Sequence, residues 1–164
     1  MSAQRTAVYA GSFDPITSGH LDIAIRGSKL VDRLIIAIGV NPKKRYTFTL
    51  EERIEIVQAA TRSYPNIEVR SFNGLLVHCC EEVSAGIILR GLRAVTDFEF
   101  EFQIGLANMD LAPNIETIFL LAEPQNIFIS SSLVKEIAFN HGKFNQYLPD
   151  KAYNMLLKKV NDVQ

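Results

Sequence analysis

The chain has no tryptophan, only two cysteines and only three histidines among its 164 residues. The cysteines, Cys79 and Cys80, are adjacent, which excludes an ordinary disulfide framework. There is no C-x-x-C pair and no His/Cys spacing that suits zinc, so no protein-held metal site is expected. One packed and one partly exposed thiol is the expectation for this pair, and the cysteine usage fits a reducing, cytoplasmic compartment. An excess of either charge is also lacking: 17 Lys+Arg stand against 18 Asp+Glu, a net charge of −1. That balance excludes a broad nucleic-acid footprint, and no aromatic–basic stacking pattern offsets it. Nothing at the N-terminus resembles a signal peptide, and no apolar run is long enough to span a membrane, so no membrane partner is expected. Repeats, low-complexity tracts and linker-like boundaries are missing as well. A single domain over residues 1–164 follows as the expectation.

What is present is an alternation of strand-like and helix-like segments. Residues 6–9 read as a strand running into a turn with Gly11, Asp14 and Pro15. A helix over about 19–31 follows, with Leu21, Ile25 and Leu30 on its expected inner side. Residues 33–40 are nearly all aliphatic, as in a strand buried on both faces of a parallel sheet. Thr49-Leu50-Glu51-Glu52 is a capping box opening a helix to about Arg62. Further strands are expected at 67–70, 86–90 and 116–122, with a helix at 75–83. Thr96-Asp97-Phe98-Glu99 is a second capping box. Residues 98–102 alternate like a strand, but that box and the helical spacing of Phe98, Phe102, Leu106 and Met109 favour a helix to about Leu111. Its second apolar row, Phe100, Ile104 and Ala107, points elsewhere on the same cylinder. One core cannot cover both rows, so this helix is expected to pack against another subunit. Ser130-Ser131-Ser132 caps a helix to about Phe139, Asn140-His141-Gly142 stops it, and a last amphipathic helix ends near Val160. Five strands separated by helices give an α/β, doubly wound, five-stranded parallel sheet with helices on both faces.

In such a sheet a ligand lies beyond the carboxyl ends of the strands. Ser12, Lys43-Lys44-Arg45, Arg90 with Arg93, and the 126–132 loop all follow strand ends, and His20 lies at the same edge. The first turn leads into a helix start that Thr17 or Ser18 can cap, where free N–H groups and the helix dipole favour phosphate. Its glycines match neither G-x-G-x-x-G nor G-x-x-x-x-G-K-[ST]. On the residues alone, a phosphate cradle and a plain strand–turn–helix junction with a surface histidine are both open. Asp14, before Pro15, reads as a turn residue.

Four stretches in order along the chain carry a family resemblance. They are Gly11-Ser12-Phe13-Asp14-Pro15 with Thr17-Ser18-Gly19-His20, Phe48-Thr49-Leu50-Glu51-Glu52-Arg53, Ile88-Leu89-Arg90-Gly91-Leu92-Arg93 with Asp97-Phe98-Glu99, and Phe128-Ile129-Ser130-Ser131-Ser132-Leu133-Val134-Lys135. Together they resemble bacterial phosphopantetheine adenylyltransferase. The T-x-G-H element marks the wider nucleotidyltransferase superfamily, and R-G-L-R is more specific. The resemblance implies a Rossmann-like fold and transfer of AMP from ATP to 4′-phosphopantetheine, giving 3′-dephospho-coenzyme A and pyrophosphate. It also implies a Mg2+ requirement, a homohexamer and feedback inhibition by coenzyme A. By position, Ser12, Lys44, Leu76 and Arg90 would meet the pantetheine substrate. Ser12, Phe13, His20, Gly91, Leu92, Arg93, Glu101, Asn126, Ile127, Phe128, Ile129, Ser130, Ser131 and Ser132 would meet ATP, and His20 would stabilise the transition state. Three positions depart from the family pattern: Ser12 replaces threonine, Asn126 replaces a tryptophan found in some members, and Lys135 replaces an arginine, which keeps the charge but not the bidentate fork.

The residues suit that reaction. A phosphate that attacks another phosphate in line needs no general base and no covalent intermediate. What it needs is positioning and charge neutralisation. Lys44 and Arg90 can clamp the incoming phosphate, Arg90 bidentately. His20, Ser12 and helix N–H groups can meet the α-phosphate, and the 130–132 hydroxyls and amides the β- and γ-phosphates. Magnesium bridging the phosphates would keep mostly its own waters. The competing readings are a sister enzyme using CTP or another phosphorylated acceptor, and a non-catalytic nucleotide-binding module.

Overall fold

A computed structural model describes residues 4–163. Five strands, β1 (Thr6–Gly11), β2 (Arg33–Val40), β3 (Ile67–Asn73), β4 (Ile87–Leu92) and β5 (Glu116–Leu121), form one parallel sheet in the order β3-β2-β1-β4-β5. Six helices connect and cover it: α1 (Ser18–Ser28), α2 (Leu50–Thr61), α3 (Leu76–Glu82), α4 (Val95–Leu111), α5 (Ser131–Phe139) and α6 (Asp150–Asp162). The expected doubly wound, Rossmann-like sheet is therefore the observed one.

The aliphatic strands are buried on both faces, and alternation splits them cleanly. Ile36, Ile38, Leu34, Tyr9 and Leu89 pack under α1, α2, α5 and α6. Ile35, Ala37, Val8, Ala10 and Ile88 pack under α3 and the chain around Ala112 and Ile115. Successive strand residues point to opposite faces, so each apolar run feeds two cores. Strand order reverses beside β1: β2 lies on one side of it, β4 on the other. The chain leaves β1 and β4 toward opposite sides there, which opens a crevice at their carboxyl ends.

Several local expectations shift. The inner side of α1 is Ile23, Ala24 and Gly27, whereas Leu30 lies beyond the helix end and is exposed. Gly27 faces Leu89 so closely that a Cβ would meet Leu89 Cδ2, which is why this face is small rather than leucine-rich. The Thr49–Glu52 capping box forms as expected. The second expected start is displaced: α4 begins at Val95 after Ala94, which makes no side-chain cap, so the expected cap position falls inside the helix. Asp97 is drawn instead to Arg93, one turn back, with Nε–Oδ2 at 3.1 Å. The helix itself, expected against the strand alternative, is present. At the end of α5 the left-handed residue is His141 (φ 59°) rather than Gly142. Cys79 and Cys80 are both buried, and burial pushes both thiols up, Cys80 to about 12. The expected partly exposed member of the pair is not seen, because α3 turns both toward the sheet.

Leu156 of α6 is fully buried and belongs to the same core as β2 and α1. Leu156→Ala is expected to lower stability by about 2–5 kcal/mol, measured by urea unfolding, because it leaves a cavity at the sheet face.

Candidate active site

Two clefts open at the reversal point and share a wall made by Ala10, Gly11 and Arg90. The first, about 670 Å³ of empty space, is lined by Phe13, His20, Gly91, Arg93, Glu101, Asn126 and Ile129 among others. The second, about 870 Å³, is lined by Ser12, Lys44, Tyr46, Leu76 and Ile104 among others. All four residues expected at a pantetheine substrate thus lie in one cleft. Of those expected at ATP, seven line the other.

His20 is fixed from two directions. Thr17 caps α1, and its backbone N–H donates to His20 Nδ1 at 3.1 Å, so His20 completes a capping box in which an imidazole replaces the usual carboxylate. With Nδ1 accepting, the proton of the neutral ring sits on Nε2, leaving a donor. The ring meets Phe13 edge-on at 5.3 Å, and Phe13 meets Tyr9 at 5.4 Å. Phe13 holds φ at 45°, a strained backbone for a non-glycine residue, and folds its ring back over Gly11. A Cβ on Gly11 would sit 3.1 Å from that ring, a tight contact that glycine avoids. Burial, with Arg93 and then Arg90 nearby, pushes the His20 imidazole down from 6.5 to about 4. Tyr9, expected only as a strand residue, is buried behind it, and burial pushes its phenol upward.

Arg90 spans the crevice. Its Nε and Nη2 donate to Glu101 at 2.7 and 2.6 Å, and its Nη1 donates to the Ala10 carbonyl at 2.9 Å. Three of five N–H donors are used, leaving one each on Nη1 and Nη2. The side fork expected to clamp a phosphate is therefore held by Glu101, and a ligand meets the far end instead. Glu101, expected at ATP, spends both oxygens on Arg90. Arg93 donates to the Ile129 carbonyl at 3.0 Å, tying the end of β4 to the segment before α5.

On the other side, Lys44 Nζ donates to Ser12 Oγ at 3.0 Å, across 32 residues of chain. Asp14 is buried and organises the loops around it. It accepts from the backbone N–H groups of Thr47 and Phe48 at 3.0 and 2.9 Å, and from Lys135 Nζ at 2.8 Å. It is a turn residue, as expected, but one that joins three segments. Lys135 serves this pair rather than the clefts, which accounts for a single charge sufficing where a fork is usual. Ser130 Oγ caps α5 by accepting from Leu133 N–H at 3.1 Å, and Ser131 Oγ donates to the Pro15 carbonyl at 2.7 Å. Leu92, Ile127, Phe128 and the three serines do not line either cleft among the described residues. Leu92 faces Val95, Phe98 and Leu121 on the outer side. Gly19 lines the first cleft beside Asn126, where an added Cβ would be 3.5 Å from the Asn126 side chain.

Tyr46 and Arg53 are not among the expected site residues, although Arg53 ends the second family stretch. Both have a signal. Arg53 is spaced three residues from Leu50 and from Ile56, so helical periodicity sets it on the inner face of α2. Tyr46 is an aromatic two residues after Lys44, within a basic loop.

Comparison with known proteins decides the family. A cytidylyltransferase-like family model matches residues 8–137. A phosphopantetheine adenylyltransferase of Caldanaerobacter subterraneus subsp. tengcongensis is 49% identical over 155 residues, 94% of this chain and 97% of that one. The chain belongs to the phosphopantetheine adenylyltransferase family. Another member, from Desulfatibacillum aliphaticivorans, is 48% identical over 97% of this chain and 91% of its own. One from Clostridium botulinum is 45% identical over 96% of each. A crystal structure of a candidate nicotinate-nucleotide adenylyltransferase from Vibrio parahaemolyticus has the same fold, with a TM-score of 0.74 at 13% identity over 96% of this chain and 95% of that one. In this family member the capping-box histidine lines one of the two adjoining clefts and the crevice arginine borders both.

Unfolded chains take up the His20 proton near 6.5, folded chains only near 4. Between those values protonation draws the protein toward the unfolded state, so stability falls as pH drops through that window. His20→Gln is expected to flatten that part of a pH–stability profile measured by chemical denaturation.

Proposed function

We propose that this protein transfers AMP from ATP to 4′-phosphopantetheine, releasing pyrophosphate and 3′-dephospho-coenzyme A. The observation that carries this reading is the shared wall: one arginine, Arg90, borders both clefts, so two phosphorylated ligands would meet at its free end. We assign ATP to the cleft of His20, Phe13, Gly91, Arg93 and Asn126, with the start of α5 receiving the β- and γ-phosphates through its amides. The pantetheine substrate takes the cleft of Ser12, Lys44 and Leu76. Its phosphate oxygen attacks the α-phosphorus in line, and the P–O bond to the departing pyrophosphate breaks. His20 Nε2–H, Lys44 and Arg90 meet the charge that builds on the phosphoryl oxygens, in a site already organised before the ligands arrive. No side chain removes a proton, because the attacking oxygen is already an anion.

Magnesium fits this donor set as a passenger of the triphosphate. Among the described residues no three His, Cys, Asp or Glu gather into a metal cage, and Glu101 is committed to Arg90. A bound ion would neutralise phosphate charge while keeping its own waters.

We also read the chain as one domain acting in a cytoplasmic homohexamer, inhibited by coenzyme A, the downstream product that carries both halves of the dephospho product. Support for assembly comes from α4 and β5. Val95, Phe98, Phe100, Phe102, Leu106 and Met109 of α4 are all exposed, Phe100 at 64%, as is Leu121 at the end of β5, and neither core includes them. A contiguous apolar face of that kind fits a second copy of the chain.

Pyrophosphate release with ATP, magnesium and 4′-phosphopantetheine tests the reaction. Release with ATP well above that with CTP, and above that with other phosphorylated acceptors, is expected, and no release would overturn the assignment. His20→Ala is expected to lower kcat at least about a hundredfold while ATP binding, followed by calorimetry, persists.

A further inference from the structure

Arg53 is 2% exposed and is among the largest fully buried side chains in the protein. Among the described residues no carboxylate lies within ion-pair distance of it. Its Nη1 donates to the Ser12 carbonyl at 2.8 Å and the Gly39 carbonyl at 3.1 Å. The guanidinium carbon sits 3.9 Å from the centroid of the Tyr46 ring. Its Nε is the one buried side-chain polar atom without a partner among the described residues. A buried cation held only by two carbonyls and a ring is unfavourable unless something offsets it, since carbonyl dipoles do not neutralise a full charge.

The partners of Arg53 share one property. Ser12, Gly39 and Tyr46 all line the second cleft, and none of the three lines the first. Lys44, which donates to Ser12 Oγ at 3.0 Å, also stands 5.7 Å from the Tyr46 centroid. Tyr46 further holds the end of β2, where its hydroxyl accepts from Asn41 N–H at 3.0 Å and donates to the Gly39 carbonyl at 3.4 Å. Arg53 therefore stands directly behind Ser12, Tyr46 and Lys44, outside the cleft itself.

We propose that Arg53 is the positioning residue of the acceptor-phosphate half of the site, an inference that rests on the functional reading above. Its guanidinium sets the Ser12 loop against the end of β2 and supports the ring beside Lys44. Its uncompensated charge is offset when the acceptor's phosphate dianion enters between Ser12 and Lys44. The ATP half is independent of it, because the His20 turn is fixed by Thr17 and Phe13 instead.

The test compares wild type, Arg53→Met and Arg53→Lys in steady-state assays that vary ATP and 4′-phosphopantetheine separately, with unphosphorylated pantetheine as a competitive inhibitor. Arg53→Met is expected to raise the KM for 4′-phosphopantetheine about tenfold, the scale of one lost charged hydrogen bond, and to move the KM for ATP less than about twofold. The preference for phosphorylated over unphosphorylated pantetheine narrows by a similar factor, and Arg53→Lys recovers part of it. An equal rise in both KM values, or an unmoved phosphate preference, overturns the proposal. Should Arg53→Met fail to fold, Tyr46→Leu carries the test: the same selective rise is expected, and its absence overturns the proposal. A wild-type protein that releases no pyrophosphate overturns the functional reading and this inference together, whereas an active wild type with an unselective Arg53→Met overturns the inference alone.

Discussion

The bonds Arg90 makes across the crevice are the constraint on which the site depends. In a doubly wound sheet the two strands flanking the reversal point have no loop between them to close the gap above their ends. Arg90 closes it from the β4 side, reaching the Ala10 carbonyl of β1 and the Glu101 carboxylate of α4. Glu101 does two things at once: it orients the guanidinium, and it offsets part of the charge that would otherwise sit uncompensated beside His20. Without that arrangement the two clefts would not share a wall.

Around this junction the loops are held by polar and ionic side chains, of which Asp14 is the buried one. Asp14 gathers two backbone N–H groups and Lys135, and Arg93 anchors the segment before α5. Each links pieces of chain far apart in sequence. Loop backbones carry polar groups that a core cannot accept, so ionic side chains with several hydrogen-bonding atoms are suited to hold them. The outcome is a site whose donors are in place before a ligand arrives, which is what phosphoryl transfer asks of a protein.

The local electrostatics differ from the overall balance. The chain's net charge is −1, yet Lys44, Arg90 and Arg93 gather at two adjoining clefts. Burial, with Arg93 and then Arg90 nearby, holds the His20 imidazole neutral in the free protein.

The order of elements, the two-faced burial of β2, the Thr49 capping box and a helix ending near Leu111 were all legible along the chain, because each rests on periodicity or on contacts within four residues. So was the cation set, since polar residues at parallel strand ends must meet at one rim. Only the folded chain decided how those groups are used. Glu101 occupies the fork of Arg90, Lys135 is turned to Asp14, two serines of the 130–132 run are bonded within the scaffold, and Arg53 is buried with no carboxylate partner among the described residues. Apart from the Ser130 cap, which reaches three residues to Leu133, these pairings join residues 11 to 121 positions apart. Local propensity carries no information about such distances; they are set where separate loops are brought within hydrogen-bond reach by the twist and order of the sheet.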